Sequence, residues 1–198
     1  MSRERAIERV LDACIGLTAL HLAALAGTSH LPLGVRVATV AIDVVVALLF
    51  FVRVSARTCG SSAEIAVALP SIALGGVAYA LAPPSWPPVL VLAHGAFAAW
   101  VLVSLASIGR SFALLPARRA ITSRGPYALV RHPIYLGELG MVASACASRG
   151  ALWGALGLVL SLVLVLPRSL AEERVLATDA TYDAYRSRVR WRLLPGLF

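Results

Sequence analysis

Apolar runs long enough to cross a lipid bilayer recur along this 198-residue chain, and that pattern limits its fold more than any other feature. A helix rises about 1.5 Å per residue, so roughly 20 apolar residues span a hydrocarbon core about 30 Å thick. Six such segments are read, over residues 6–26, 35–52, 65–82, 89–108, 134–147 and 151–166. The fifth is short for a crossing, so a tight hairpin with the sixth, turning through Ser148, Arg149 and Gly150, is the economical arrangement. Composition agrees: 59% of residues are hydrophobic and 14% charged, where a soluble domain has roughly 45–50% and about 25%. Mean hydropathy is +0.82. The expected fold is all-α, a polytopic membrane helical bundle of about six segments with a cytoplasmic C-terminal helix. A soluble globule, a disordered chain, a coiled coil and a disulfide scaffold are excluded.

The net charge of +8 is carried by 18 arginines and no lysine. They lie between apolar runs rather than along one face, so no nucleic-acid partner is expected. Sixteen fall before the first segment, after the second, after the fourth and in the tail, leaving Arg36 and Arg149 for the other side. The positive-inside rule then puts both termini in the cytoplasm. It puts the proline-rich turn at 83–88 outside, with Trp86 at the membrane interface. The first segment ends in Ala24-Leu25-Ala26, which resembles a signal cleavage site, but Glu4, Glu8 and Asp12 do not suit a signal peptide, so the first helix is expected to be retained. Cys14, Cys59 and Cys146 have no metal-ligand spacing and read as small apolar residues; no metal site is expected.

Asp12, His21, Asp43, His94 and Glu138 are the ionisable residues inside the apolar segments. Each should face protein or water, since a charge at bilayer depth costs at least about 2.5–3.5 kcal/mol. For Asp43 two readings stand: part of a relay or substrate cavity, or an interhelical hydrogen bond to His21 or His94. The densest chemistry follows the fourth segment, in Arg124-Gly125-Pro126-Tyr127 and Arg131-His132-Pro133-Ile134-Tyr135-Leu136-Gly137-Glu138. Pro126 and Pro133 favour a shaped loop that ends in a helix start. After the sixth segment comes Pro167-Arg168-Ser169-Leu170-Ala171-Glu172-Glu173. A hairpin would bring these two stretches together at the cytoplasmic boundary, where arginines, a histidine, a tyrosine and two carboxylates suit a small ligand carrying both charges. The alternative is that the arginines only anchor topology and the glutamates cap a solvated helix.

The ordered set Gly125-Pro126-Tyr127, Arg131 through Gly137, Glu172-Glu173, Tyr182-Asp183-Ala184-Tyr185 and Arg188-Val189, with Pro195 near the end, resembles the isoprenylcysteine carboxyl methyltransferase family and the related phospholipid methyltransferases. The resemblance covers residues 107–198. It implies an integral membrane enzyme that binds S-adenosylmethionine in a cytoplasm-facing pocket, with residues 1–106 gripping a lipophilic or lipidated acceptor. By the same resemblance, Tyr127, Arg131, His132, Pro133, Tyr135, Leu136, Gly137, Glu172 and Glu173 bind the cofactor, Gly137 leaving space beside it. Arg168, Glu172 and Glu173 are the implied catalytic residues, with Arg168 orienting an acceptor carboxylate. Gly109 lacks the G-x-G of the phospholipid enzymes, and no family signature marks the first three helices. Two rival readings are a membrane reductase of the sterol-reductase type using NADPH, and a non-catalytic assembly or transport subunit.

Overall fold

The computed structural model describes residues 3–54, 58–118 and 120–197, with side chains described from Ile7 onward except those of Thr58 and Cys59. Arg57 and Arg119, and the side chains of Arg3, Arg5 and Cys59, therefore lie outside the described residues. Seven α-helices are present among the described residues: α1 Arg3–Thr28, α2 Leu33–Val52, α3 Ser62–Leu81, α4 Pro88–Ile108, α5 Pro133–Ala147, α6 Ala151–Leu176 and α7 Ala180–Arg188. Five of them are long and apolar enough to cross a membrane, and α5 is apolar but shorter. The architecture is an all-α bundle of membrane type. Large apolar side chains stay on its outer surface, among them Leu33, Leu92 and Leu152, as they do where the surrounding solvent is lipid.

Local sequence sets the helix ends. α3 opens with a capping box in which Ser61 and Glu64 satisfy each other's backbone amides. Proline occupies the first turn of α4 and α5, where its missing N–H costs nothing. α4 stops at Gly109, whose φ of +52° lies in the left-handed region open to glycine. The hairpin between α5 and α6 turns at Ser148 and Gly150 as expected. Close approach holds it: a Cβ on Gly154 would lie 2.7 Å from Ala147 Cβ.

α1 packs on α2, α2 on α4, α4 on α5, α5 on α6, and α3 against both α5 and α6. One apolar cluster, with Leu31, Val35, Trp86, Val142 and Ala145, closes the end holding the α1–α2 and α3–α4 turns. A second, with Phe50, Val101, Leu105, Phe112 and Met141, lies toward the other end.

Several expectations are corrected. The helix that contains the sixth apolar run is longer than the run itself: α6 continues through Pro167 to Leu176, as membrane helices tolerate proline where neighbours satisfy the backbone. A two-residue antiparallel ribbon, β1 Thr58–Cys59 with β2 Ala117–Arg118, ties the α2–α3 loop to the chain after α4. Trp86 is 8% exposed, packed into the bundle end; its indole N–H donates to Pro83 O at 3.0 Å, and its ring meets His94 edge-on. His21 is exposed on α1. His94 pairs with the Tyr79 hydroxyl at 2.9 Å, not with Asp43.

Candidate functional site

The continuity of α6 past Pro167 determines the site, because it carries Arg168, Glu172 and Glu173 on a rigid extension beside the start of α5. His132, the residue before α5, lies between the two glutamates. Its Nε2 is 3.2 Å from Glu173 Oε1, and its Nδ1 is 3.5 Å from Glu172 Oε2. A ring with a carboxylate at each nitrogen is best matched when both nitrogens carry protons. Burial opposes the imidazolium, but the hydrogen bonds and charges of Glu172 and Glu173 outweigh it and raise the His132 pKa above the ordinary histidine value.

Glu173 is 7% exposed and also meets Arg131 Nη1 at 3.0 Å and Arg192 Nε at 3.2 Å. The tail holds this arrangement from behind: the amides of Arg131 and His132 each donate at 2.9 Å, to Trp191 O and Arg192 O. Glu172 Oε2 accepts from the Tyr135 hydroxyl at 2.7 Å. The Tyr135 ring is stacked on His132 at 5.2 Å and lies beneath Arg168 Cζ at 4.4 Å.

Beside this cluster is a cleft of about 530 Å³, including its open mouth. Tyr127, Arg131, His132, Glu172, Tyr182 and Tyr185 form its polar lining, and Ile108, Ala113, Ile121 and Leu176 form an apolar wall. Every lining residue falls between 107 and 198. Among the described residues only Oε2 of Glu172 has hydrogen-bond partners, so Oε1 is left as an acceptor. Arg131 Nε and the Tyr182 hydroxyl are buried, and the Tyr182 oxygen lies against the Arg131 guanidinium, which leaves its own proton to donate. Burial, with the charge of Glu173, pushes the Tyr182 hydroxyl up to about 12, so it remains a donor. Tyr185 donates to Tyr127 O at 2.8 Å and fixes the turn that carries Tyr127.

Of the nine residues expected around the cofactor, Tyr127, Arg131, His132 and Glu172 line the cleft. Tyr135 and Glu173 stand behind it as supports, and Pro133 and Leu136 do not line it. The Pro133 carbonyl accepts from Trp100 Nε1 at 2.9 Å, which ties the start of α5 to α4. The space that Gly137 leaves is filled by α4 rather than by a ligand: a Cβ there would strike Val101 Cγ2 and lie 3.1 Å from Phe97 O.

Arg168 is also outside the cleft lining. It is 2% exposed, which excludes a headgroup anchor, and its fork is already occupied. Nη1 reaches Ser71 Oγ at 3.1 Å and Glu138 Oε2 at 3.4 Å, and Nη2 reaches Leu114 O at 3.0 Å. Sequence reading missed Arg192 as a partner of Glu173. The paired tyrosines of α7 were visible only as part of the family resemblance.

No metal-binding group of three or more His, Cys, Asp or Glu side chains occurs among the described residues. Compared with family models and with curated proteins, the chain matches none. The functional reading therefore rests on the residues and their geometry.

Proposed function

We propose that this chain is an integral membrane methyltransferase that uses S-adenosylmethionine to methylate a lipophilic or lipidated acceptor, in the manner of the isoprenylcysteine carboxyl methyltransferases it resembles. The observation that carries the reading is the cleft whose lining brings together an open carboxylate oxygen of Glu172 and the neighbouring buried polar groups of Arg131 and Tyr182. That set matches a small zwitterion bearing hydroxyls.

Bound there, S-adenosylmethionine supplies a methyl group activated on a sulfonium sulfur. The chain supplies positions. Glu172 Oε1 accepts from an amino group or ribose hydroxyls, while Arg131 and Tyr182 donate to a carboxylate. His132 and Tyr135 hold Glu172 at its other oxygen. Arg168 acts as a positioning residue through the Tyr135 ring. The apolar wall excludes water, and for a donor already activated, positioning and desolvation carry the catalysis.

The arginine partition supports a topology with both termini cytoplasmic and six membrane segments, the last two a hairpin. In this arrangement residues 107–198 hold the cofactor and the preceding helices meet the acceptor.

Calorimetric titration of the purified protein with S-adenosylmethionine, its demethylated product and NADPH tests the reading. Binding of the first two is expected, weakened about ten- to a hundred-fold by Glu172→Gln, since a hydrogen bond to a charged group contributes roughly 1.5–3 kcal/mol. Saturable NADPH binding with none of S-adenosylmethionine would overturn it in favour of a reductase.

A further inference from the structure

The tail that follows α7 is fixed to the membrane helices. Leu193 is 1% exposed and packs with Tyr135, Leu139 and Val165, against the last apolar turns of α6. The amides of Arg131 and His132, just before α5, donate to Trp191 O and Arg192 O, and Arg131 Nη2 donates to Arg190 O at 3.1 Å. The segment therefore lies level with the place where the apolar runs of α5 and α6 give way to charge. Its outer side is of another character. Trp191 is 38%, Leu194 41% and Leu197 82% exposed, while Val189 and Leu193 of the same segment are buried. Arg186, Arg188 and Arg190 stand beside them, all exposed. Arg186 meets Asp183, the one carboxylate between residues 180 and 192, at 3.5 Å. Arg188 engages only its Nε, on the Ala184 carbonyl of its own helix. The Arg190 side chain forms no hydrogen bond or ion pair among the described residues.

We infer that this face binds anionic phospholipid of the leaflet from which α5 enters the bundle, with Arg188 and Arg190 on headgroup phosphates and Trp191 and Leu194 among the first acyl carbons. Three arguments select that partner. A guanidinium fork matches the oxygens of a phosphate, and three arginines against one carboxylate leave an excess of positive charge that an anionic headgroup balances and a zwitterionic one does not. Tryptophan and leucine exposed beside arginines have the mixed character of a segment lying in the interface, the ring and the arginine stems in apolar surroundings and the charges in water. An acidic protein would also match the arginines, but a segment packed on the last apolar turns of α6 meets lipid first. The inference does not depend on the methyltransferase reading.

The test titrates the full chain in a neutral detergent with fluorescent phosphatidylglycerol and fluorescent phosphatidylcholine and follows anisotropy. A basic residue at an anionic surface contributes roughly fivefold, so the wild type is expected to prefer phosphatidylglycerol by about tenfold or more. The double variant Arg188→Gln/Arg190→Gln should lose most of that preference. Arg149→Gln, which removes an arginine at the opposite end of the bundle, should keep it, so a response to net charge alone is told apart from this face. Trp191→Ala should weaken both lipids by a similar factor and leave their ratio unchanged. Equal binding of the two lipids by the wild type, an undiminished preference in the double variant, or an equal loss in Arg149→Gln would overturn the inference. So would displacement of phosphatidylglycerol by free glycerol phosphate or by a soluble acidic peptide at equal concentration, which would make the face a site for phosphate or for protein.

Discussion

Replacing Arg168 tests the interior of the site. Arg168→Met removes the partner of Glu138, leaves the Leu114 carbonyl without its donor and takes the cation from the Tyr135 ring. Breaking a buried ion pair by removing one member costs about 3–5 kcal/mol. Glu138 retains 38% exposure, which places the expected loss at the lower end, about 3 kcal/mol. Arg168→Lys keeps the charge but not the fork, so one of the three oxygen partners goes unmet, at about 1–2 kcal/mol. Adding Glu138→Gln to Arg168→Met removes the stranded carboxylate and should return at least about 1 kcal/mol, a coupling typical of residues in contact. Denaturant unfolding of the detergent-solubilised protein measures these three variants and the single variant Glu138→Gln against wild type. The reasoning is refuted if Arg168→Met lies within 1 kcal/mol of wild type, or if the double variant shows simple additivity.

Gly137→Ala should destabilise the α4–α5 contact by about 1–3 kcal/mol, because the new methyl meets Val101 and Phe97; unchanged thermal stability would mean that α4 yields there. His132 gains its carboxylate partners on folding and its pKa is raised. Its stabilisation is therefore fully present below the ordinary value of about 6.5 and is lost as pH rises through the higher folded value. The thermal midpoint should fall over that window in wild type and stay flat in His132→Gln. A cysteine placed at the exposed position Ser85 should react with an impermeant reagent only from the side opposite the termini; labelling from the cytoplasm would overturn the topology.

Much of the bundle was legible because apolar runs end where punctuation begins. Pro88, Pro133 and the Ser148-Arg149-Gly150 turn mark helix limits that the structure reproduces within a few residues. That α6 continues unbroken past Pro167 was not written into the local sequence; packing in the bundle carries it. Nor was the burial of Trp86, whose indole N–H finds a carbonyl within its own turn. At the candidate site, the convergence of Arg131 and His132 with Glu172 and Glu173 follows from the hairpin expected of residues 134–166. The roles of Tyr182 and Arg192 depend on contacts between α6 and a tail that carries no periodic signal, and such long-range partners are not written into local sequence. Gly137 shows the converse: a motif glycine whose resemblance points to ligand space proves to be a seat for a neighbouring helix.

The most direct test of the methyltransferase account is transfer of label. Purified protein in nanodiscs made with lipid from its own host would be incubated with S-adenosylmethionine labelled in the methyl group, and the organic-extractable material counted. The account predicts label in a lipophilic product, formed in proportion to enzyme and reduced at least tenfold by Glu172→Gln. Saturable binding of S-adenosylmethionine with no label leaving the aqueous phase would contradict a lipophilic acceptor, and equal transfer by Glu172→Gln would contradict the cleft as the site of the chemistry.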